Sequence, residues 1–574
     1  MTKRLILLLL FFTSPLWATT YYVDNCLTVG NDLNNGTSPS TPWLTINKVN
    51  TSKFNPGDSI LFESTCTWRE QLTVPSSGSA GSPITFGAYG TGTVPMISGA
   101  NLFTNWTLSS GSLYYASYST APNQVFEDGA RLTQNTVTAA SLSAGQWYLD
   151  AANSRIWVYL TAGDSPSGHS MEVSQRQYAV TSSNVSYVTL SGLETDKSNY
   201  RGVYYNNCNT CTGLLVTGVT ALRNFDDGIN IGNGLGVVVS YSTAAYNGAN
   251  GFEVYAAPSI LLDHLVAHDN AQLTTQDYTA GIRFTDDPSA QSPNMTVQYS
   301  KVYNNGVVGQ PDYQGIGIWA DTVGNGFTAK YNLVYGNNLI GIMAEADSNV
   351  NILYNIVYGT VMRASEDFKA GIALAADNPS YPMSGSLVAN NVSYGNAGPG
   401  ISITADNFAQ GCVNNSVENN ISVGNGGPQL QVYFGCENPG TNGNGNVYAY
   451  NGFGRQATNF IQWGSAVTSY ESTYAAWETA TGNCGTVGCS HSVQTDPQFA
   501  NAAASQFWLA SGSPAIDAGV NLGSPYNVGL MPGSTWPNSV VTGDQNAYGS
   551  RWEIGAFVYV PAIAPPSNLQ AVAH

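Results

Sequence analysis

Charged residues are scarce in this chain of 574 residues. Lys and Arg together number 18 and Asp and Glu 36, so charged side chains make up 9% of the sequence and the formal net charge is −18. Proteins that bind nucleic acid present clustered Lys and Arg to its phosphates. The composition therefore argues against nucleic acid as a partner and, more weakly, against a polyanionic substrate.

Long apolar runs are also absent beyond the first residues. The chain begins MTKRLILLLLFFTSPLWATT, in which Lys3 and Arg4 precede a short apolar run that ends near the small residue Ala18. This order is typical of a secretory signal, and the run is too short for a spanning helix. We therefore expect residues 1–18 to be a signal peptide, and the mature chain to be a secreted or periplasmic monomer without a membrane span.

A sustained helical period is missing, whereas turn and strand formers are abundant. The chain holds 61 Gly, 34 Tyr and 12 Trp, together with many Ser, Thr and Asn. Such a composition predicts an all-β protein.

Eight cysteines fall in near pairs, and an even count in an exported chain predicts disulfides. The CNTC stretch at 208–211 could instead be a metal or redox pair. The near pairs are Cys26 and Cys66, Cys208 and Cys211, Cys412 and Cys436, and Cys484 and Cys489.

A seven-residue motif of Gly, apolar residue, any residue, apolar residue, any residue, small residue and Asp recurs every 23 to 34 residues. A second motif, with an Asn, two apolar positions and a Gly turn, lies between its copies. Short strands in repeats of this length predict a β-solenoid, in which successive coils pair in parallel about 4.8 Å apart. Copies of the first motif are GINIGNG (228–234), GFEVYAA (251–257), GIRFTDD (281–287), GIGIWAD (315–321), GIMAEAD (341–347), GIALAAD (371–377) and GISITAD (400–406).

Stacking of the coils predicts columns of like residues. One column is an asparagine ladder and the other a stack of rings, in which His268 is a structural member. The columns are Asn332, Asn355, Asn391 and Asn420, and Tyr246, His268, Tyr303, Tyr335, Tyr358 and Tyr394.

These motifs resemble the right-handed parallel β-helix proteins of the pectate-lyase-like superfamily. The start of the mature chain looks like that family's N-terminal cap, and DPQFANAAASQFWLASGSPAIDAG followed by RWEIGAFVYV looks like its C-terminal closing segment.

A Trp-rich stretch with the hairpin signal VFEDGARL interrupts the repeat. We expect the cap and first coils at 19–100, a small β-rich insertion at 101–175, the main helix at 176–450, C-terminal coils and cap at 451–560, and a Pro-rich tail at 561–574.

The third, fifth and seventh letters of the motif point out of the coil. An Asp at the seventh position caps the turn, or a row of such Asp holds a cation. Outward residues are largest and most charged in the middle coils, which favours a groove with a central site.

The outward carboxylates suggest glycoside hydrolysis, which uses an acid and a base or nucleophile. Four candidates share one predicted face: Glu253, Asp287, Asp321 and Glu345. We place Asp321 and Glu345 in adjacent coils, offset by one outward position and roughly 8 Å apart. Trp319 lies between them as a stacking platform, and Arg283 neighbours Glu253.

Aromatic residues supply candidate sugar contacts. Tyr278 and Tyr313 each follow an Asp just upstream of a strand, and Tyr255 points outward from its coil. A ring can stack on a sugar while a neighbouring carboxylate binds its hydroxyls; packed turns are the alternative.

The stretch NFDDGIN resembles the DDG motif of polysaccharide lyase family nine, which implies calcium ligands at Asp226 and Asp227. The base of that family is a Lys at the position that Glu253 occupies in ANGFEVY. Lys369 or Arg283 would have to replace it. The Gly-His-Gly and Arg-x-Lys patterns of polygalacturonases are absent.

Three functions therefore stay open. The first is a glycoside hydrolase that acts on a polysaccharide or oligosaccharide and needs no cofactor. The second is a polysaccharide lyase assisted by Ca²⁺. The third is a non-catalytic β-helix, such as an adhesin or glycan-binding protein.

Overall fold

The chain forms a parallel β-helix in a computed structural model. The structure describes residues 18–28, 30–206, 210–273, 278–286, 293–307, 314–345, 347–361, 369–376, 383–404, 412–433, 435–437, 445–464, 469–481 and 491–561.

Three long sheets run the length of the described coils, and each coil contributes one strand to each sheet in turn. Sheet 1 contains Thr20–Val23, Ser59–Glu63, Ile84–Tyr89, Val188–Ser191, Leu214–Thr217, Val238–Ser240, Leu261–Asp263, Thr296–Gln298, Thr328–Lys330, Asn351–Leu353, Leu387–Ala389, Ser416–Glu418 and Val447–Ala449. Sheet 2 contains Thr67–Trp68, Met96–Ser98, Glu194–Asp196, Thr220–Leu222, Thr243–Ala245, Val266–His268, Lys301–Tyr303, Leu333–Tyr335, Ile356–Tyr358, Val392–Tyr394 and Ile421–Val423. Sheet 3 contains Leu72–Thr73, Tyr178–Ser182, Arg201–Asn206, Ile229–Gly232, Phe252–Tyr255, Thr279–Thr285, Gln314–Asp321, Ile340–Glu345, Ala370–Ala375, Ile401–Thr404, Leu430–Tyr433, Ile461–Gly464 and the antiparallel edge strand Tyr470–Glu471.

Side chains along these short strands point alternately inward and outward, and the inward ones form the core. Apolar residues at the second position of the motif are at most 1% exposed and form one inward column of sheet 3. Their neighbours two residues on form the next column. Burial of such columns is the main stabilising contribution in a solenoid, because each coil contacts mainly its neighbours. The first column is Ile229, Phe252, Ile282, Ile318, Ile342, Ile372 and Ile401.

The predicted asparagine ladder is confirmed. In each step an Asn Oδ1 accepts from the backbone N–H and the side-chain Nδ2 of the Asn one coil earlier, at 2.8–3.0 Å. It extends to Asn451. A second ladder, which the sequence analysis missed, comprises Asn224, Asn247, Asn270, Asn305 and Asn337.

The predicted column of rings is confirmed from His268 to Tyr394. Its first member is wrong, because Ala245 pairs with His268 and the ring of Tyr246 meets His268 edge-on, at 5.5 Å and 82°. His268 lies 4.8 Å from Tyr303 at an interplanar angle of 6°, and its Nδ1 is 2.7 Å from Asp269 Oδ2. His268 is therefore a structural residue. A second stack was missed; it comprises Tyr241, His264, Tyr299, Tyr331 and Tyr354.

Two sheets interrupt the helix after Met96–Ser98, one antiparallel and one antiparallel except for its edge strand Thr133–Gln134, which pairs in parallel. Their strands are, in spatial order, Ala130–Arg131, Val125–Glu127, Met171–Ser174 and Ala100–Leu102, and then Thr133–Gln134, Gln146–Asp150, Arg155–Tyr159, Leu113–Ser117 and Thr107–Ser110. A buried network of alternating charge ties this insertion to the helix. Lys197 bonds Glu172 of the insertion at 2.8 Å and Asp196 of sheet 2 at 2.9 Å, and Arg69 and Arg223 complete the network.

The ends of the helix are covered by different means. The short helix Ile46–Thr51 packs at the N-terminal end and the helix Tyr474–Thr481 packs against the last strands of sheet 3. The segment after residue 491 runs back along the outside of several coils instead of covering the end. Its hairpins are Phe499–Asn501 with Gln506–Leu509 and Val528–Leu530 with Thr542–Asp544.

Disulfides join Cys26 to Cys66 and Cys412 to Cys436, as the spacing predicts. Cys208, Cys484 and Cys489 lie outside the described residues, as does the expected signal peptide up to residue 17. Among the described residues, no helix is both long and apolar enough to cross a bilayer.

The predicted register of one coil is wrong. The stretch GIGIWAD has two Gly, and the sequence analysis aligned Gly315 with Gly281. In the structure Ile318 pairs with Ile282, so Gly317 is the repeat Gly, while Gly315 at φ +75° sits in a bulge. The outward residues of this coil therefore shift by two positions.

Candidate active site

The outer face of sheet 3 carries a polar cavity of about 390 Å³ in the coils between Arg201 and Arg283. It lies nearer the insertion than the central site that the sequence predicts. Its floor consists of two rows of outward-facing side chains of sheet 3 and of the turns that precede these strands. Its walls include Asp226, Asp227, Glu253, Tyr255, Tyr278 and Arg283.

Arg201 holds the two adjacent aspartates of the DDG turn. Its Nε lies 2.9 Å from Asp226 Oδ2 and 3.0 Å from Asp227 Oδ2. The guanidinium also stacks over the rings of Tyr200 and Tyr204, at 4.5 and 4.9 Å. The two carboxylates thus share one largely buried cation.

Two asparagines fix Asp227 further. Asn230 Nδ2 donates to Asp227 Oδ2 at 2.8 Å, and Asn250 Nδ2 donates to Asp227 Oδ1 at 2.9 Å. Both carboxylate oxygens of Asp227 are therefore engaged, and this residue is 2% exposed. Asp227 is a positioning group within the turn.

Asp226 is less fully engaged. Burial, and after it the nearby charge of Asp227, raises the pKa of Asp226 to about 7, although Arg201 opposes that rise. Burial also raises the pKa of Tyr200 to about 12, so its hydroxyl stays protonated beside Asp226. A carboxyl group that titrates near neutrality in a cavity can accept a proton from water or act as a nucleophile.

Glu253 lies in the row beside Asn230, with which it pairs across the sheet. Thr285 Oγ1 donates to Glu253 Oε1 at 3.0 Å, whereas Oε2 has no hydrogen-bond partner. Burial raises the pKa of Glu253 to about 8, and the charge of Arg283 limits that rise. A neutral carboxyl in the wall of a cavity can donate a proton.

Arg283 continues the row and forms an ion pair with Asp321, at 2.7 Å between Nη2 and Oδ2. Its guanidinium lies 4.9 Å from the centre of the Trp319 ring. The neighbouring carboxylates Glu253 and Asp321 raise the pKa of Arg283 against the effect of burial. Arg283 therefore stays protonated and cannot serve as a base.

The predicted Asp321–Glu345 pair has a different geometry in the structure. The register shift places these residues directly opposite each other, rather than offset by one outward position. Neither residue lines the cavity. Asp321 is bound to Arg283, and Glu345 Oε2 accepts from Trp319 Nε1 at 2.9 Å.

Trp319 is not an exposed sugar platform. It is 2% exposed and packs among small apolar residues of sheet 3. The same shift moves it into the row of Arg283 and Met343, beneath the guanidinium. Its role is to support Arg283.

Tyr255 and Tyr278 do present exposed rings at the cavity. They are 43% and 53% exposed, respectively, and both line it. Tyr313 and the carboxylate candidate Asp287 lie outside the described residues.

Lys369 lies far from the DDG turn. It precedes the strand Ala370–Ala375, which is five strands along sheet 3 from Ile229–Gly232. At about 4.8 Å per strand this separation is roughly 24 Å. Lys369 cannot act as a base beside Asp226 or Asp227, and it does not line the cavity.

The aspartates of the DDG turn do not fit a calcium ion as they stand. A Ca²⁺ ion takes six to eight oxygen ligands. Arg201 already supplies positive charge to both carboxylates. Among the described residues, Asp226 and Asp227 belong to no group of three or more His, Cys, Asp or Glu side chains close enough to share an ion.

Sequence reasoning missed Arg201, Asn230 and Asn250 as site residues. Arg201 precedes Gly202 in RGVYYN, and this strand pairs with Ile229–Gly232, so it is an earlier copy of the same motif. Alignment of that copy would have placed Arg201 beside Asp227.

No model of a known protein family matches the chain. A stretch of 76 residues is 42% identical to a lacto-N-biosidase of Bifidobacterium longum subsp. longum, and it covers 12% of this chain and 5% of that protein's length. The chain thus matches a small part of this curated relative.

Solved structures show the fold. XylC, in its complex with xylose, is similar over 70% of this chain and 75% of its own, with a TM-score of 0.54 and 15% identity. Pectate lyase Pel9A matches over 94% and 96% of the two chains, with a TM-score of 0.42 and 18% identity. The protein is a right-handed parallel β-helix, as the sequence predicts. On that scaffold it carries an acidic cavity with tyrosines at its edge.

Proposed function

We propose that this protein is a glycoside hydrolase whose active site is the cavity around Glu253 and Asp226. The observation that supports it best is the buried Glu253, which has a raised pKa and one unpartnered oxygen beside an aspartate pair held by Arg201. Glycoside hydrolysis needs two such carboxyl groups in different protonation states.

Glu253 is the general acid in this proposal. Its neutral carboxyl donates a proton to the glycosidic oxygen as the bond to the leaving sugar breaks. The ionised Asp226 takes a proton from the water that attacks the sugar. Alternatively it attacks the sugar itself, and water that gives a proton to Glu253 then hydrolyses the resulting glycosyl ester and releases Asp226. Asn230 bonds Asp227 and pairs with Glu253 across the sheet, so the carboxyl groups of the turn and of Glu253 lie about one to two strand spacings apart, roughly 5–10 Å. Carboxyl pairs of glycosidases work over this range.

The remaining residues position these groups. Arg201 and the asparagines hold the DDG turn rigidly, which limits reorganisation during the reaction. The exposed rings of Tyr255 and Tyr278 offer faces for sugar C–H groups. A polysaccharide or oligosaccharide is the substrate class.

The setting also agrees with an exported enzyme. The disulfides Cys26–Cys66 and Cys412–Cys436 are stable in oxidising compartments. We therefore place the protein outside the cell or in the periplasm.

The two alternatives from the sequence have less support. A lyase needs a base near the DDG turn, and neither Lys369 nor Arg283 can supply one. A binding protein has no need of a buried, neutral glutamic acid with an unpartnered oxygen.

The test is a screen of the full mature chain on neutral and acidic oligosaccharides, with reducing ends as the readout. Glu253→Gln should lower kcat by at least about a thousandfold, because the proton donor is lost. Glu345→Gln is the matched control, since Glu345 is a buried glutamate on the same sheet but outside the cavity. It should keep activity within about threefold.

Three results would contradict the proposal. Full activity of Glu253→Gln would place the site elsewhere. An unsaturated product with ultraviolet absorbance would identify a lyase. Retention of a glycan without cleavage across the whole screen would identify a binding protein.

A further inference from the structure

A second cavity, of about 460 Å³, lies where the insertion meets the β-helix. The insertion contributes Gln124, Arg131 and Gln134, and the helix contributes Phe225, Gln272 and Leu273. Two turns of successive coils and the hairpin at 125–131 thus form one pocket with both polar and apolar walls.

Arg131 is the charged group of this cavity. Its Nε donates to Gln124 Oε1 at 2.9 Å, and its Nη2 donates to the carbonyls of Asn224 and Tyr246 at 3.1 and 3.2 Å. All three acceptors are neutral. In the part of the chain that the structure describes, no carboxylate forms an ion pair with Arg131.

Most of the other interior arginines differ in this respect. Arg69, Arg201, Arg223 and Arg283 each contact a carboxylate within 2.7–3.0 Å, whereas Arg176 donates to the neutral Asn101 Oδ1. Burial lowers the pKa of Arg131 to about 10, although the charge of Asp196, which does not contact it, opposes that effect. Desolvation of a charge without a counter-charge costs free energy, so an anion that enters this cavity gains an unusually favourable partner.

The second cavity adjoins the active site. Phe225 lines one cavity and the next residue, Asp226, lines the other. The backbone of Gln272 and Leu273 is bonded to Asn247 and Gly248, and the following residue, Ala249, lines the active site. The two cavities are therefore neighbours, separated at these points by a wall one residue thick.

We propose that the second cavity is a subsite that binds an anionic substituent of the glycan, a carboxylate or a sulfate ester, through Arg131. The proposal rests on the hydrolase function proposed above and specifies its substrate class. One guanidinium that no carboxylate contacts, among the described residues, suits one acidic group on an otherwise neutral glycan. A polyuronate would meet the acidic surface of a chain with a net charge of −18.

Binding of matched sugar pairs to the full mature chain tests this subsite. The pairs are glucuronate against glucose, galacturonate against galactose, and glucose 6-sulfate against glucose, measured by ligand-observed NMR. We expect at least one acidic member to bind tenfold or more tightly than its neutral partner, with a preference that falls as salt is raised. The uronate and sulfate arms distinguish the two anions.

Arg131→Gln should reduce that preference to less than twofold, and Arg131→Lys should retain part of it. Arg155→Gln is the control, because Arg155 is an insertion arginine outside the cavity. If Arg131→Gln does not fold, the salt dependence of the wild-type preference and the Arg131→Lys variant decide the matter.

Equal binding of acidic and neutral members in all three pairs would overturn the proposal, as would a preference that Arg131→Gln leaves intact. The failure of the hydrolase function is distinguishable. In that case no glycan is cleaved, while the preference that depends on Arg131 persists. If cleavage depends on Glu253 but no acidic sugar binds more tightly than its neutral partner, the hydrolase proposal stands and the subsite proposal fails.

Discussion

Arg283 donates through Nη2 to Asp321 Oδ2 at 2.7 Å, and this ion pair lies beside the buried carboxyl of Glu253. The positive charge of Arg283 opposes the rise that burial produces in the pKa of Glu253. Asp321 is thus linked to the proposed acid through Arg283, although it lies outside the cavity.

The first prediction concerns the pH profile of kcat/KM. Glu253 must be protonated and Asp226 ionised, so activity should fall as the pH rises through about 8 and as it falls through about 7. Arg283→Gln should move the alkaline limb upward, and Asp321→Asn should move it downward, each by roughly one pH unit. Shifts of the same sign in both variants would contradict this coupling.

The second prediction concerns a buried carboxyl of the C-terminal segment. Glu553 is 0% exposed, and burial raises its pKa from 4.5 to about 7. The folded state binds the proton more tightly, so the stabilisation is fully present below about pH 4.5 and is lost as the pH rises through about 7. Glu553→Gln should therefore increase the free energy of unfolding at pH 8, by up to about 3 kcal/mol, and change it little at pH 4.

Denaturant unfolding at the two pH values measures this difference. The partly exposed Glu471 supplies the control variant, Glu471→Gln. A Glu553→Gln chain that is equally or less stable than wild type at pH 8 would show that the ionised carboxyl is tolerated there.

The third prediction concerns the asparagine ladder. Asn355→Ala removes the acceptor for Asn332 and the donor to the Ala329 carbonyl, both within the core. Buried groups that lose their partners should lower the free energy of unfolding by about 3 kcal/mol. Asn351→Ala, on the outer side of sheet 1, should cost less than about 1 kcal/mol. Thermal unfolding measures the stability of both variants. Equal losses of stability would show that the asparagine ladder contributes no more than a surface asparagine.

The fourth prediction separates hydrolase from calcium-dependent lyase chemistry. Because Arg201 already provides the cation for Asp226 and Asp227, treatment with EDTA should leave turnover within about twofold. Lys369→Ala should do the same, since Lys369 lies roughly 24 Å along the sheet. In contrast, Arg201→Gln should abolish turnover, because two carboxylates would be left without their partner. Loss of activity on chelation, restored by calcium, would refute this assignment.

Much of the fold follows from the sequence because stacking makes one physical requirement repeat. A buried Asn at the same turn of every coil, such as Asn355 and Asn391, must satisfy the same backbone groups each time. Periodicity therefore reveals both the ladder and the ring stack of His268. Periodicity fails for the GIGIWAD coil, because either Gly315 or Gly317 can be aligned with the repeat Gly of the other coils. The bulge at Gly315, which decides between the two alignments, is visible only in the structure.

The site was harder to predict, because its members occupy repeat positions whose residue type changes from coil to coil. Glu253, Arg283 and the DDG aspartates are visible as rare charges in a chain with few of them. Arg201 is the first residue of its strand and bonds residues 25 and 26 positions later, in the turn before the next strand. The burial that raises the pKa of Glu253 likewise depends on how neighbouring coils pack.

The returning C-terminal segment gives the molecule a mechanical asymmetry. Tyr331 and Tyr354 donate to the carbonyls of Val528 and Tyr526, and Asn390 and Asn419 bond Glu553 and Val520. A solenoid without such a segment can unfold one coil at a time from either end. Here the C-terminal segment joins several later coils to one another from outside, so these coils must unfold together. A pulling force would therefore separate the coils at the N-terminal end of the β-helix first.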